Sequence, residues 1–124
     1  MPVRSLTSPV LRWPDAESVH AAAVSWVIAL ATGNPVVVAA GYFGSYARGD
    51  AGVGSDLDLV LIVRESALPF ERRATLFPIE SLPVPADLLV YTIAEWQRLQ
   101  ERGGRFARAL RQETRWLAGA PPGA

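Results

Sequence analysis

The sequence predicts one small domain of the α/β (α+β) class, with helices packed around a small sheet. Three observations carry that prediction. Short apolar runs at Val36–Tyr42, Leu57–Val63 and Ala86–Tyr91 read as strands. Segments with apolar residues at helical spacing precede and follow them. Half of the 124 residues are hydrophobic, enough at this length for one packed core.

Taken in order, residues 1–13 read as an N-terminal arm docked through Trp13. Pro14-Asp15 then opens a helix, with Asp15 as its N-cap. Val19, Ala22, Ala23, Trp26, Val27 and Leu30 mark its buried face, and Gly33-Asn34-Pro35 stops it. The run Val36–Tyr42 reads as a strand buried on both faces. Residues 45–49 suit one helical turn, and Gly49–Gly54 is turn chemistry. Leu57–Val63 is apolar throughout except for Asp58. Pro69–Phe77 suggests a short helix with Arg72 and Arg73 outward, and Pro78, Pro83 and Pro85 punctuate the rest as loop. After the strand Ala86–Tyr91, Thr92 and Glu95 form a capping box for a helix striped by Ile93, Trp96 and Leu99. Gly103-Gly104 breaks it, residues 105–112 resume as helix, and 114–117 suit an edge strand. The domain is thus expected over 14–118, with a flexible tail at 119–124.

Composition narrows the function. Twelve acids balance twelve bases, which argues against a dedicated nucleic-acid binder. All the bases are arginine, so a lysine that binds phosphate or forms a Schiff base is excluded. Without cysteine, thiol nucleophiles, disulfides and zinc-cysteine sites are excluded too. The single histidine, His20, lies in an alanine-rich helical pattern and reads as a half-exposed helix residue. The N-terminus does not read as a signal peptide, and the apolar stretch 21–31 is too short for the roughly 20 residues of a membrane span. A cytoplasmic protein is expected.

The unusual chemistry is concentrated in Gly41–Val63, GYFGSYARGDAGVGSDLDLVLIV. Strand alternation puts Asp56 and Asp58 on one face, about 6–7 Å apart at Cα. Two carboxylates that close repel unless a proton or cation lies between them. A hard divalent cation such as magnesium suits them, because it takes carboxylate, water and phosphate oxygens. Asp87 offers a third carboxylate at the start of another strand. Three such groups can hold two metal ions, an arrangement suited to phosphoryl and nucleotidyl transfer. Gly44 lets backbone approach a ligand closely, and Ser45 adds a hydroxyl and opens a helical turn toward a phosphate. Arg48 suits either a phosphate contact or a salt bridge to Asp50 or Asp56. Ser55 suits either a phosphate donor or a cap at the strand entry. An Asp-x-Asp pair on its own is usually solvated surface. Asp58 differs, because it interrupts a buried run where an unpaired carboxylate is costly.

At these residues the chain resembles the nucleotidyltransferase superfamily that includes the DNA polymerase β palm, and in particular the minimal nucleotidyltransferase (MNT) group. The signature G-S-x10-D-x-D is matched by Gly44, Ser45, Asp56 and Asp58. Asp87 in ADLLVYT fits the family's third carboxylate, and the resemblance covers roughly residues 18–118. It implies a polymerase β-like fold with a small mixed sheet of three to four strands. It implies ATP with two magnesium ions as substrate and cofactor, Asp56, Asp58 and Asp87 as catalytic and metal-holding groups, and Gly44 and Ser45 on the β- and γ-phosphates. Minimal members resemble the antitoxin of a toxin–antitoxin pair, in which a HEPN-type ribonuclease toxin is adenylylated on a tyrosine. With no separate acceptor domain expected, the acceptor site is assigned to such a partner or to a second copy of the chain. Transfer to a small molecule such as an aminoglycoside, across a homo-oligomer, is one alternative. A module that occludes a toxin or senses nucleotide without catalysis is another. Residues 95–115 carry six arginines against three glutamates, and Arg98, Arg102, Arg105, Arg108 and Arg111 recur at spacings of three and four. That stripe suits an acidic partner, RNA, or a plain solvated helix face.

Overall fold

The structure, a computed structural model, describes residues 13–123. The expected arm therefore lies outside the described residues except for Trp13, which is half-buried and donates its indole N–H to the Tyr46 hydroxyl at 3.2 Å. Helix α1, Ala16–Ala31, starts where the sequence places it: the Asp15 carboxylate accepts from the Ser18 N–H at 2.7 Å. Its buried stripe is Val19, Ala23, Trp26 and Val27. His20 is half-buried, with Nδ1 2.7 Å from the Tyr42 hydroxyl.

Strands β1 (Val37–Phe43), β2 (Leu57–Val63), β3 (Ala86–Thr92) and β4 (Arg115–Gly119) form one sheet in the order β3-β2-β1-β4. β1 runs antiparallel to β2 and β4, while β2 and β3 are parallel, so the sheet is mixed. Helix α2, Ser45–Arg48, is a single turn after β1. Helices α3 (Ile93–Arg102) and α4 (Arg105–Glu113) follow β3 and are parted by Gly103-Gly104.

The period of two along β2 explains its apolar run. Leu57, Leu59, Leu61 and Val63 enter a core under α1, with Tyr42, Leu88 and Val90. Val60 and Ile62 enter a second core on the opposite face, with Ala39, Trp96 and Leu110. Both faces of the strand are covered, so only apolar residues fit its centre. Trp96 anchors the second core, with ring centroids 6.1 Å from Tyr91 and 5.7 Å from Trp116. Truncating it to alanine removes about 3–5 kcal/mol.

The connection between the parallel strands differs from expectation. It holds two 3-10 turns, Phe70–Leu76 and Ile79–Ser81, rather than an α-helix over 69–77. Pro69 and Pro78 bracket the first turn and leave little room for longer helix. Arg72 is exposed as expected, but Arg73 is buried. Its guanidinium donates to the carbonyls of Leu68 (2.8 Å) and Val90 (3.0 Å) and to both Glu95 carboxylate oxygens. A buried cation is tolerated when it is paired with a carboxylate and hydrogen-bonded in this way. Glu95 also completes the expected capping box with Thr92 at the start of α3. Arg73 and Glu95 therefore tie the connection, β3 and α3 together. At the C-terminus, Gly119 still belongs to β4 and Pro121 is buried. Ordered structure therefore runs past residue 118, where a flexible tail was expected to begin.

Candidate active site

Asp58 shares the Val60 and Ile62 face of β2, at the edge of the second core. Register sets its neighbours: it lies opposite Phe43 on β1 and opposite Asp87 on β3. In a parallel pair such partners point to the same face, so Asp58 and Asp87 are lateral neighbours. Asp56 precedes the strand by one residue and is exposed, as is Asp87, whereas Asp58 is half-buried. Leu57 N–H donates to the Pro85 carbonyl at 2.9 Å, locking the two strand entries side by side.

Gly44 ends β1 with φ 76° and ψ −152°, a region open in practice only to glycine. A Cβ at this position would collide with the Asp58 carboxylate. The Gly-Ser turn and the carboxylate are thus packed directly on one another. Ser45 starts α2, and the buried Tyr46 behind it is fixed by its bond from Trp13. Gly49 closes the turn in the left-handed conformation.

These elements line a cavity of about 510 Å³. Gly44, Ser45, Arg48, Ser55, Asp56 and Asp58 lie on one side, and Phe106, Ala109 and Glu113 of α4 on the other. Six of the seven residues singled out from the sequence therefore converge on one space, and Asp87 adjoins it through its register with Asp58. At Arg48 the salt bridge to Asp50 forms, Nε donating at 3.3 Å in an exposed ion pair. At Ser55 the side chain caps a turn, Oγ accepting from the Gly52 N–H at 2.9 Å. Both residues also line the cavity. Phe106 and Glu113 were not anticipated. Phe106, Ala109 and Glu113 recur at spacings of three and four, but only the packing of α4 shows that this stripe faces the motif. A larger cavity, about 630 Å³, lies between α1 and the second 3-10 turn, and no titratable side chain lines it.

Charge within the site is unbalanced. Burial raises the Asp58 pKa above its ordinary value, and the neighbouring Asp87 and Asp56 carboxylates raise it further, against a smaller opposing effect of Arg48. The ionised trio is therefore strained, and a divalent cation is the partner whose charge and oxygen preference relieve it. Among the described residues no three acidic or imidazole side chains form a closed metal cage. Asp56, Asp58 and Asp87 are neighbours by register and charge, and the two exposed members would have to reorient to enclose an ion. The donor set fits the cation in its chemistry.

A family model described as a nucleotidyltransferase domain matches residues 29–117. The chain belongs to the nucleotidyltransferase domain family. The match spans β1, β2 and β3, the first three residues of β4 and every site residue. Among solved structures, a "putative nucleotidyltransferase" from Sulfolobus solfataricus is similar at 22% identity and a TM-score of 0.53, over 71% of this chain and 84% of the other. That likeness concerns the fold, which is the polymerase β-like arrangement of mixed sheet and flanking helices. A toxin–antitoxin structure with AMP-PNP aligns at 17% identity and a TM-score of 0.47, over 78% of this chain and 73% of that one. No curated protein matches by sequence. No helix among the described residues of this nucleotidyltransferase is long and apolar enough to cross a membrane.

Proposed function

We propose that this nucleotidyltransferase moves AMP from ATP onto a hydroxyl of a partner protein, and that it acts in the cytoplasm as the antitoxin of a HEPN-type toxin whose tyrosine is the acceptor. The observation that carries the transfer reading is the contact of Gly44 with Asp58, itself registered beside Asp87, in a cavity shared with Ser45 and Arg48. The partner assignment rests on the likeness of GSYARGDAGVGSDLDLVLIV to the MNT group.

In this reading the Gly44-Ser45 turn receives the β- and γ-phosphates. Its backbone can approach them because no Cβ intervenes. Arg48 adds positive charge at the exposed rim. Asp56, Asp58 and Asp87 would hold magnesium, in two ions, which when bound supplies the charge that makes the triphosphate compatible with three carboxylates. The acceptor oxygen attacks the α-phosphorus, the bond to the bridging oxygen breaks, and pyrophosphate leaves with that electron pair. Asp87, the exposed member on β3, takes the acceptor proton. Its exposure leaves that edge open to a macromolecular hydroxyl.

Incubation of the chain with its candidate toxin, ATP and magnesium should add AMP to a toxin tyrosine, read by mass spectrometry. An unmodified toxin beside folded, nucleotide-bound chain overturns the assignment.

A further inference from the structure

A second groove, about 350 Å³, opens on the same sheet face as the site. Phe106 lines both spaces, so the groove begins where the nucleotide cavity ends. Its floor is Tyr91, on the same face of β3 as Asp87 and about 13 Å further along the strand. Phe70 and Phe106 stand at its mouth, 38% and 50% exposed, although both are large and apolar. The Phe70 ring lies 5.2 Å from that of Tyr91. Arg98 and Arg102, one turn apart on α3, form a wall and are exposed.

Neither arginine has a carboxylate within 4.0 Å among the described residues, where only Arg48–Asp50 and Arg73–Glu95 pair. Glu95 also lines the groove but is already committed to Arg73 and Thr92, and Glu101, which directly precedes Arg102, forms no ion pair with either arginine among the described residues. Residues 95–115 carry three more positive than negative charges, whereas the chain as a whole is neutral. The groove thus combines exposed aromatic rings with two uncompensated guanidinium groups, immediately beside the transfer site.

We infer that this groove is the acceptor subsite and that it seats an acidic polypeptide segment. Acidic side chains of the segment pair with Arg98 and Arg102, and an aromatic or apolar residue packs between Phe70 and Phe106. The segment is thereby led past Phe106 to the carboxylates. The inference rests on the proposed transfer to a protein hydroxyl and adds how that protein is recognised. A polypeptide is favoured over RNA because the chain has no net positive charge and a sequence pI of about 6.6, where a nucleic-acid surface is strongly basic.

The test uses the full chain and a fluorescein-labelled copolymer of glutamate and tyrosine, read by fluorescence anisotropy. A lysine–tyrosine copolymer and oligo(U) RNA serve as comparison probes, and ATP binding is measured in parallel. The acidic copolymer is expected to bind, more weakly as salt rises. Arg98→Glu/Arg102→Glu should weaken it about tenfold or more, and Arg98→Gln/Arg102→Gln less, with ATP binding unchanged. Absence of copolymer binding, or binding indifferent to charge reversal, overturns the inference. So does tighter binding of the RNA that is lost in the same variants. Asp56→Asn/Asp58→Asn separates the two layers, since it should abolish transfer and leave copolymer binding intact. Arginine-dependent copolymer binding without any nucleotide transfer leaves the groove standing and removes the transfer reading. Transfer to the partner at the wild-type rate in Arg98→Glu/Arg102→Glu removes the groove and leaves the transfer.

Discussion

Replacing Gly44 by alanine tests the packing of the motif most sharply. Two costs add at this position. The backbone is at φ 76° and ψ −152°, which costs a residue with a side chain about 1–3 kcal/mol. The new methyl also collides with the Asp58 carboxylate, which is held in the β2 ladder between Phe43 and Asp87. Relieving that clash costs about a further 1–3 kcal/mol, the usual range for overpacking. The sum is about 2–6 kcal/mol, a large share of a typical 5–15 kcal/mol stability. Gly49→Ala is the internal control. It has φ 87° and ψ 14° at the other end of the same turn, but nothing lies within 4 Å of its Cβ position. It should cost only about 1 kcal/mol. Urea unfolding of both variants, with nucleotide binding followed by calorimetry, measures the difference. Gly44→Ala should lose nucleotide affinity as well as stability, and Gly49→Ala mainly stability. Equal stability losses, or a Gly44→Ala variant that binds ATP as wild type does, would refute the contact between turn and carboxylate.

Other outcomes follow from the charges. The raised Asp58 pKa means that its ionised form opposes folding, so that cost is present above the folded pKa and absent below the ordinary value of 3.8. Asp58→Asn should therefore raise neutral-pH stability while abolishing activity; a destabilised variant in thermal melts contradicts this. Glu95 has the opposite sign. The Arg73 guanidinium bonded to it holds its pKa down to about 2, from 4.5. Its contribution is complete above 4.5 and is lost as pH falls toward 2. At 1.36 kcal/mol per pKa unit the displacement is about 3 kcal/mol, reduced to about 1–2 by solvent screening. Glu95→Gln should remove that acid-side slope from stability measured between pH 5 and pH 2, and an unchanged slope assigns it to other groups.

Much of the site is local in sequence, which explains why it could be read there. Gly44, Ser45, Asp56 and Asp58 lie in one hairpin, and the strand period alone puts the two aspartates on one face. The Thr92–Glu95 capping box is likewise a three-residue pattern. What escaped depends on distant partners. Arg73 reads as an outward residue because the Val90 carbonyl and the Glu95 carboxylate that bury it come from later elements. Phe106 and Glu113 reach the cavity only because α4 packs across the end of β1, where Phe106 meets Phe43 at 6.2 Å between ring centroids. Gly119 reads as tail, but its Cβ-free backbone lies against Val38 and Ala39 and extends β4 along β1. The arginine stripe was visible as spacing, whereas its place beside Phe70 and Tyr91 was not.

The most direct measurement is transfer of label from ATP radiolabelled on the α-phosphate to the candidate toxin, comparing wild type with Asp56→Asn/Asp58→Asn under conditions where both are folded. Wild type should label a toxin tyrosine and release pyrophosphate, and the double variant should be slower by about 100-fold or more. Labelling at an equal rate in the two proteins, or toxin neutralised equally well by both without label, would contradict a transfer site built on Asp56 and Asp58.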